Sequence, residues 1–136
     1  MKSNIIINGK IGIRIVDDSL IYRSLLSRVI EHDDRFLLLG VFSNGYDLIS
    51  NMKDTCFSPS VCLLDILMPK YNGVETARLL QLNYPSVLSY GLSTLHDGLM
   101  VEQMYQHGVK QVFQKGNNQL AYFLDVIYED CSHLMD

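Results

Sequence analysis

The sequence predicts an α/β fold: a doubly wound, five-stranded parallel sheet with five helices on its two faces, a three-layer sandwich. Three observations lead there. Short β-rich runs alternate with helical patterns five times, the runs are more often apolar on both faces than alternating, and glycine or proline marks the element ends. Parallel strands covered by helices on both sides have that continuous apolar character. A repeated strand–helix alternation winds with right-handed crossovers.

The first strand is residues 11–16, "IGIRIV", and residues 1–10 ahead of it are expected to be a short frayed leader. A helical pattern follows over 20–32. The second strand is 36–42, "FLLLGVF", and Gly45 opens the next helix, 46–54. Pro59 precedes the third strand, 60–64, "SVCLL"; Gly73 precedes the third helix, 74–83. Pro85 comes before the fourth strand, 87–92, "VLSYGL", and Gly98 and Gly108 bracket a helix over 99–107. The fifth strand is 111–114, "QVFQ", and a last helix runs over 120–134. With no internal repeat and no low-complexity linker, residues 11–136 form one domain.

A chain of 136 residues with 48% hydrophobic and 19% charged residues can bury a full core. Its net charge of −4 argues against direct nucleic-acid binding. Cys56, Cys62 and Cys131 are an odd set without metal-ligand spacing, expected as reduced thiols in a cytoplasmic protein. No apolar run approaches the roughly 20 residues of a membrane span, and the N-terminus has no signal-peptide apolar segment. A soluble cytoplasmic protein without membrane contact is the expectation.

In doubly wound folds the site lies outside the carboxyl ends of the strands. There the first strand ends in Asp17-Asp18, the third in Asp65, the fourth in Ser93-Thr94 and the fifth in Lys115. Converging carboxylates repel by about 4 kcal/mol per close pair at an effective dielectric near 20. Raised pKa values or a divalent cation would relieve this. Oxygen ligands with room for water suit Mg²⁺. With the fixed charge of Lys115 and the hydroxyl of Ser93, the set suits a phosphoryl group. Asp65, on the central strand, is the natural carboxylate nucleophile, giving an aspartyl phosphate.

The runs "VDDS", "LLDILMPKYNGVE", "LSTLHD" and "GVKQVFQK", in that order on five alternating units, resemble the receiver domain of two-component response regulators. The likeness covers about residues 11–134 and implies the CheY-like, flavodoxin-like sandwich. It implies that Asp65 accepts phosphate from a sensor histidine kinase, a phosphotransfer protein or a small phosphodonor. Asp18 would ligate Mg²⁺ (or Mn²⁺) directly, Asp17 mainly through water, Asp65 as well, and Leu67 by its backbone carbonyl. Ser93 would turn its hydroxyl toward the phosphoryl group, with Thr94 beside it where the family usually has a smaller residue, and Lys115 would pair with it. The resemblance makes the chain a switch rather than a turnover enzyme.

Two positions depart from the family pattern. The aromatic switch residue, three before the lysine, is Val112, and Phe113 faces the other way on a strand. Lys115 is followed by Gly116 rather than proline. That variation, with "FSNGYDL" and "LSTLHD", is most similar to the NarL/FixJ-type branch, whose receivers usually precede a helix-turn-helix DNA-binding domain. The chain is then a stand-alone receiver or part of a longer transcriptional regulator. A docking module without phosphoryl turnover is the alternative; an aspartyl-phosphate phosphohydrolase is disfavoured because Leu67 replaces its second carboxylate.

Other residues carry plainer expectations. His32, His107 and His133 are helix-end residues; His96 and Asp97 are solvated loop residues, Asp97 a possible cap for the fourth helix. Arg14, a charge in the first strand, is structurally paired or snorkels to an edge. In the last helix Tyr122, Val126 and Tyr128 exceed what the core needs, as do Leu99, Met100, Met104 and Tyr105 in the fourth. That surplus is either a homodimer interface or a generous core.

In the receiver pattern Leu67 and Leu95 flank the path of attacking water, and neither can orient it. The phosphoryl group is therefore expected to leave slowly. A lifetime of seconds in the isolated domain, read from phosphate release, would contradict this; so would a Leu95→Glu variant with an unchanged rate.

Overall fold

The computed structural model describes residues 6–54, 60–68, 70–94, 98–116 and 119–132. Its elements are β1 (Ile6–Ile7), β2 (Lys10–Val16), α1 (Leu20–Glu31), β3 (Phe36–Phe42), α2 (Gly45–Asp54) and β4 (Val61–Asp65). They continue with α3 (Gly73–Asn83), β5 (Leu88–Ser93), α4 (Gly98–Gln106), β6 (Val112–Gln114) and α5 (Leu120–Ser132). The five parallel strands lie in the order β3-β2-β4-β5-β6, the predicted doubly wound sheet. The chain leaves β2 in one direction for β3 and returns on its other side as β4. The topological switch point therefore falls between the carboxyl ends of β2 and β4.

One strand differs from expectation. Part of the expected leader is ordered: Ile6 and Ile7 pair antiparallel with Ile11 and Lys10. The turn is Asn8-Gly9, with φ of +53° and +80°. Asn-Gly between apolar residues takes the double left-handed turn that matches strand twist, so the hairpin signal lay in "IINGKI" itself.

Strand alternation explains why the runs are apolar throughout. Val61 and Leu63 of β4 enter one core layer, with Ile11, Ile13 and Ile15 of β2 and Phe123, Leu124 and Ile127 of α5. Cys62 and Leu64 enter the other, with Leu48 of α2, Ala77 and Leu80 of α3 and Met104 of α4. Successive side chains of a strand point to opposite faces, so a strand sandwiched between helices must be apolar on both. Helix starts are fixed by side-chain caps. Ser19 Oγ accepts from Tyr22 N at 3.2 Å, Asn44 Oδ1 from Asp47 N at 2.8 Å and Asn72 Oδ1 from Glu75 N at 2.9 Å.

The surplus residues mostly prove to be core. Met104 is fully buried, and Met100, Val126 and Tyr128 pack against the two layers. Leu99, Tyr105 and Tyr122 stay exposed. Arg14 is buried and paired, donating from Nη1 to Ser60 Oγ at 2.7 Å and from Nε to Asn51 Oδ1 at 3.2 Å. It joins β2 to α2 and to the start of β4, so the strand charge serves structure. Cys62 and Cys131 are buried free thiols. Cys56, Pro59, Leu95, His96, Asp97, His133 and Leu134 lie outside the described residues.

The β4–α3 connection folds back on the end of β4. Gly73 N–H donates to Ile66 O at 2.7 Å, and a Cβ at Gly73 would lie 2.5 Å from the Asp65 carbonyl oxygen and 2.7 Å from Ile66 Cα. Backbone atoms cannot yield as a flexible side chain can, so only glycine lets this return hold Asp65 in place. Gly73→Ala is expected to cost about 1–3 kcal/mol of stability. Urea unfolding measures this, and an unchanged midpoint would mean the connection stands farther from β4.

Candidate functional site

Four of the expected residues meet at the switch point. Asp17 follows β2; its N–H donates to Phe42 O at 3.0 Å, and its Oδ1 accepts from Ser19 N at 2.8 Å. Its carbonyl accepts from Arg23 Nη1 at 2.7 Å. The side chain is wholly buried, so β3, α1 and the α1 cap together fix its direction. Asp65 is the last residue of β4 and also buried, while Asp18 is exposed. One carboxylate oxygen from each of the three lies within 4.8 Å of the others.

Lys115 enters from beyond β6. Its N–H donates to Ser93 O at 2.8 Å, which ties the ends of β5 and β6 together. Its Nζ stands 2.6 Å from Asp17 Oδ2 and 3.2 Å from Asp65 Oδ1. Apart from that ammonium, Asp17 Oδ2 finds no partner among the described residues. The Lys115 Nζ also lies 4.6 Å from the centroid of the Tyr22 ring, on the first turn of α1.

The electrostatics follow from burial and crowding. Burial first, then the charge of Asp17, pushes the Asp65 carboxyl up to about 7, while Lys115 opposes the rise. Burial works against the Lys115 ammonium, but the bond to Asp17 and the charge of Asp65 outweigh it and hold its pKa above the usual value. Burial, with Asp17 and Asp65 behind it, pushes the Tyr22 hydroxyl up to about 12. Among the described residues, three clustered acids with one ammonium paired to two of them leave negative charge in excess if all ionise. That surplus, on oxygen donors alone, fits a hard divalent cation such as Mg²⁺.

Ser93, the last residue of β5, is buried, and Thr94 beside it is exposed. An open pocket of about 330 Å³ lies alongside, lined by Ser93, Thr94, Gly98, Val101, Val112 and Gln114. Leu67 follows β4 with its side chain half exposed. Val112 packs toward α4, and its N–H donates to the Tyr105 hydroxyl at 2.9 Å. Phe113 lies in the opposite layer, between Tyr90 and Phe123 at ring separations of 5.9 and 4.5 Å. Sequence reasoning missed Tyr22 and the Tyr105–Val112 bond. Tyr22 was findable as the inward position of the first α1 turn, nearest the strand ends; the Tyr105 bond had no sequence signal.

The raised Asp65 pKa has a definite pH signature. An acid whose folded pKa exceeds its unfolded value of about 4 keeps the extra proton only in the folded chain between the two values. Its contribution to stability is full below that unfolded value and is lost as pH climbs through about 7. Metal-free protein should therefore lose up to a few kcal/mol relative to Asp65→Asn between about pH 4 and 8. Urea titrations across that range in a chelator read the difference, and parallel curves would place the Asp65 pKa in the ordinary range.

A family model described as the response regulator receiver domain matches residues 13–123. A protein-glutamate methylesterase/protein-glutamine glutaminase of Clostridium acetobutylicum is 34% identical over 87 residues, 62% of this chain and 25% of that protein. Transcriptional regulatory protein DegU of Brevibacillus brevis is 35% identical over 89 residues, 65% of this chain and 36% of its own length. The alignments thus span well under half of either relative. Among solved structures, the receiver domain of the response regulator NarL from Mycobacterium tuberculosis superposes with a TM-score of 0.77 at 18% identity. That alignment covers 90% of this chain and 97% of the other, a likeness of fold. Because the family match runs from within β2 into α5, the parallel core and the crevice at its edge are one unit: the chain belongs to the response regulator receiver domain family.

Proposed function

We propose that this chain is a phosphorylation-activated switch whose phosphoacceptor is Asp65. The observation that carries the reading is the cluster of Asp17, Asp18 and Asp65, with Lys115 paired to Asp17 and Asp65 and negative charge in excess among the described residues. An Asp65 carboxylate oxygen bonds to phosphorus, the donor's P–N bond breaks, and the electron pair leaves with the imidazole of a sensor histidine kinase or phosphotransfer protein. With a small acyl phosphate the bond broken is P–O. Asp18, Asp65 and the Leu67 carbonyl would hold Mg²⁺ (or Mn²⁺), with Asp17 reaching it mainly through water. Bound there, the cation neutralises charge on the phosphoryl oxygens. Lys115 adds a fixed charge, and the Ser93 hydroxyl, with Thr94 beside it, donates a hydrogen bond to a phosphoryl oxygen.

The phosphoryl group shifts the balance between two conformations. Because Lys115 is bonded to the Ser93 carbonyl, drawing either inward moves the ends of β5 and β6 together. Helix α4, β6 and α5 then present the change to a partner. Transcriptional output through a helix-turn-helix domain outside this chain follows the example of DegU, called a transcriptional regulatory protein. Exposed Leu99, Tyr105 and Tyr122 on α4 and α5 suit a homodimer of the active form. We place the switch in the cytoplasm, where such kinases deliver phosphate.

Val112, where the family has an aromatic, favours one rival: a docking module that never turns over phosphate. A phosphohydrolase has less support, since exposed Leu67 offers no acid or base. Beryllofluoride with Mg²⁺ separates these readings. The switch is expected to bind it, with amide shifts reaching from Asp65 to α4, and Asp65→Asn is expected to bind none. Wild-type protein without response would favour the dock.

A further inference from the structure

Lys115 is caged on three sides. Asp17 and Asp65 take two, at 2.6 and 3.2 Å from Nζ, and the face of the Tyr22 ring takes the third, at 4.6 Å from its centroid. The Lys115 side chain is 16% exposed, so little water screens this contact. A cation over an aromatic face gains most when desolvated. Tyr22 is itself held from two directions: its N–H is capped by Ser19 Oγ at 3.2 Å, and its ring packs against the α1/α5 core layer. Its hydroxyl is buried and has no hydrogen-bond partner among the described residues. The hydroxyl of this tyrosine thus has no partner among the described residues, while its ring meets the Lys115 ammonium.

We infer that Tyr22 is a positioning residue for phosphoryl chemistry, acting through its ring to hold the Lys115 ammonium in the crevice between Asp17 and Asp65. The role rests on the phosphoryl reading above. A lysine side chain has four rotatable bonds and a strongly hydrated head. Lys115 must keep that head at Asp65 when a phosphoryl group displaces the direct ion pair. The ring blocks the exit toward α1 and keeps the ammonium desolvated, which strengthens its attraction for phosphoryl oxygens.

Two substitutions separate ring from hydroxyl. Tyr22→Phe keeps the face and removes an unpartnered buried polar atom; it should bind beryllofluoride with Mg²⁺ within about twofold of wild type and melt a few degrees higher. Tyr22→Leu removes the face and should weaken that binding about tenfold. A readout free of metal and phosphate accompanies them. In chelator, the Lys115 ε-methylene protons should resonate upfield through the ring current of Tyr22 in wild type and Tyr22→Phe, and lose that shift in Tyr22→Leu. Leucine binding like wild type, or phenylalanine failing as leucine does, would overturn the ring's role. An unshifted Lys115 resonance in the wild-type protein would overturn it too, with no variant required and whatever the protein binds. Wild-type protein that shows the shifted resonance yet takes no beryllofluoride would sink the phosphoryl reading, and this role with it.

Discussion

The contact of the Lys115 ammonium with Asp17 and Asp65 is the constraint around which this molecule is arranged. Two carboxylates are buried at the carboxyl ends of neighbouring strands, where each alone would be costly. One ammonium between them offsets part of that cost and no more, because Asp18 adds a third charge at the mouth. The crevice is therefore stable enough to fold and still short of positive charge. An acid cluster left negative in that way could hold a metal cation.

The rest of the fold keeps these few atoms still. The strands that carry Asp17 and Asp65 are central in the sheet and buried on both faces. Side-chain caps begin α1, α2 and α3 at fixed points, and the Ser19 cap also directs Asp17 through its own N–H. Gly73 allows the connection after β4 to press on the Asp65 backbone. Rigid elements supply the precision, and short connections bring in the chemistry.

The contact between α4 and β6 is built around Val112. At Val112 a small aliphatic side chain leaves an open pocket beside Ser93. The link between α4 and β6 is instead the Tyr105 hydroxyl accepting from the Val112 backbone. Tyr105 stands on the helix rather than the strand, so displacement of α4 must stretch or break that bond.

Much of this was legible in the chain itself. Strand and helix identities followed from apolar periodicity and from glycine and proline, and β3 falls on the residues expected, 36–42. Topology then assigned Asp17, Asp18, Asp65 and Lys115 to one crevice, because carboxyl ends of parallel strands share an edge. The short hairpin was also written in the sequence, as Asn8-Gly9. What only the tertiary structure decided are the contacts between different elements, with no repeating pattern linking their partners. Tyr22 over Lys115, Arg14 on Asn51 and Ser60, and Tyr105 on the Val112 backbone are of this kind. Periodicity tells which face a residue takes, since that depends on its own element. It cannot tell which atom waits there, since that depends on how two elements are packed.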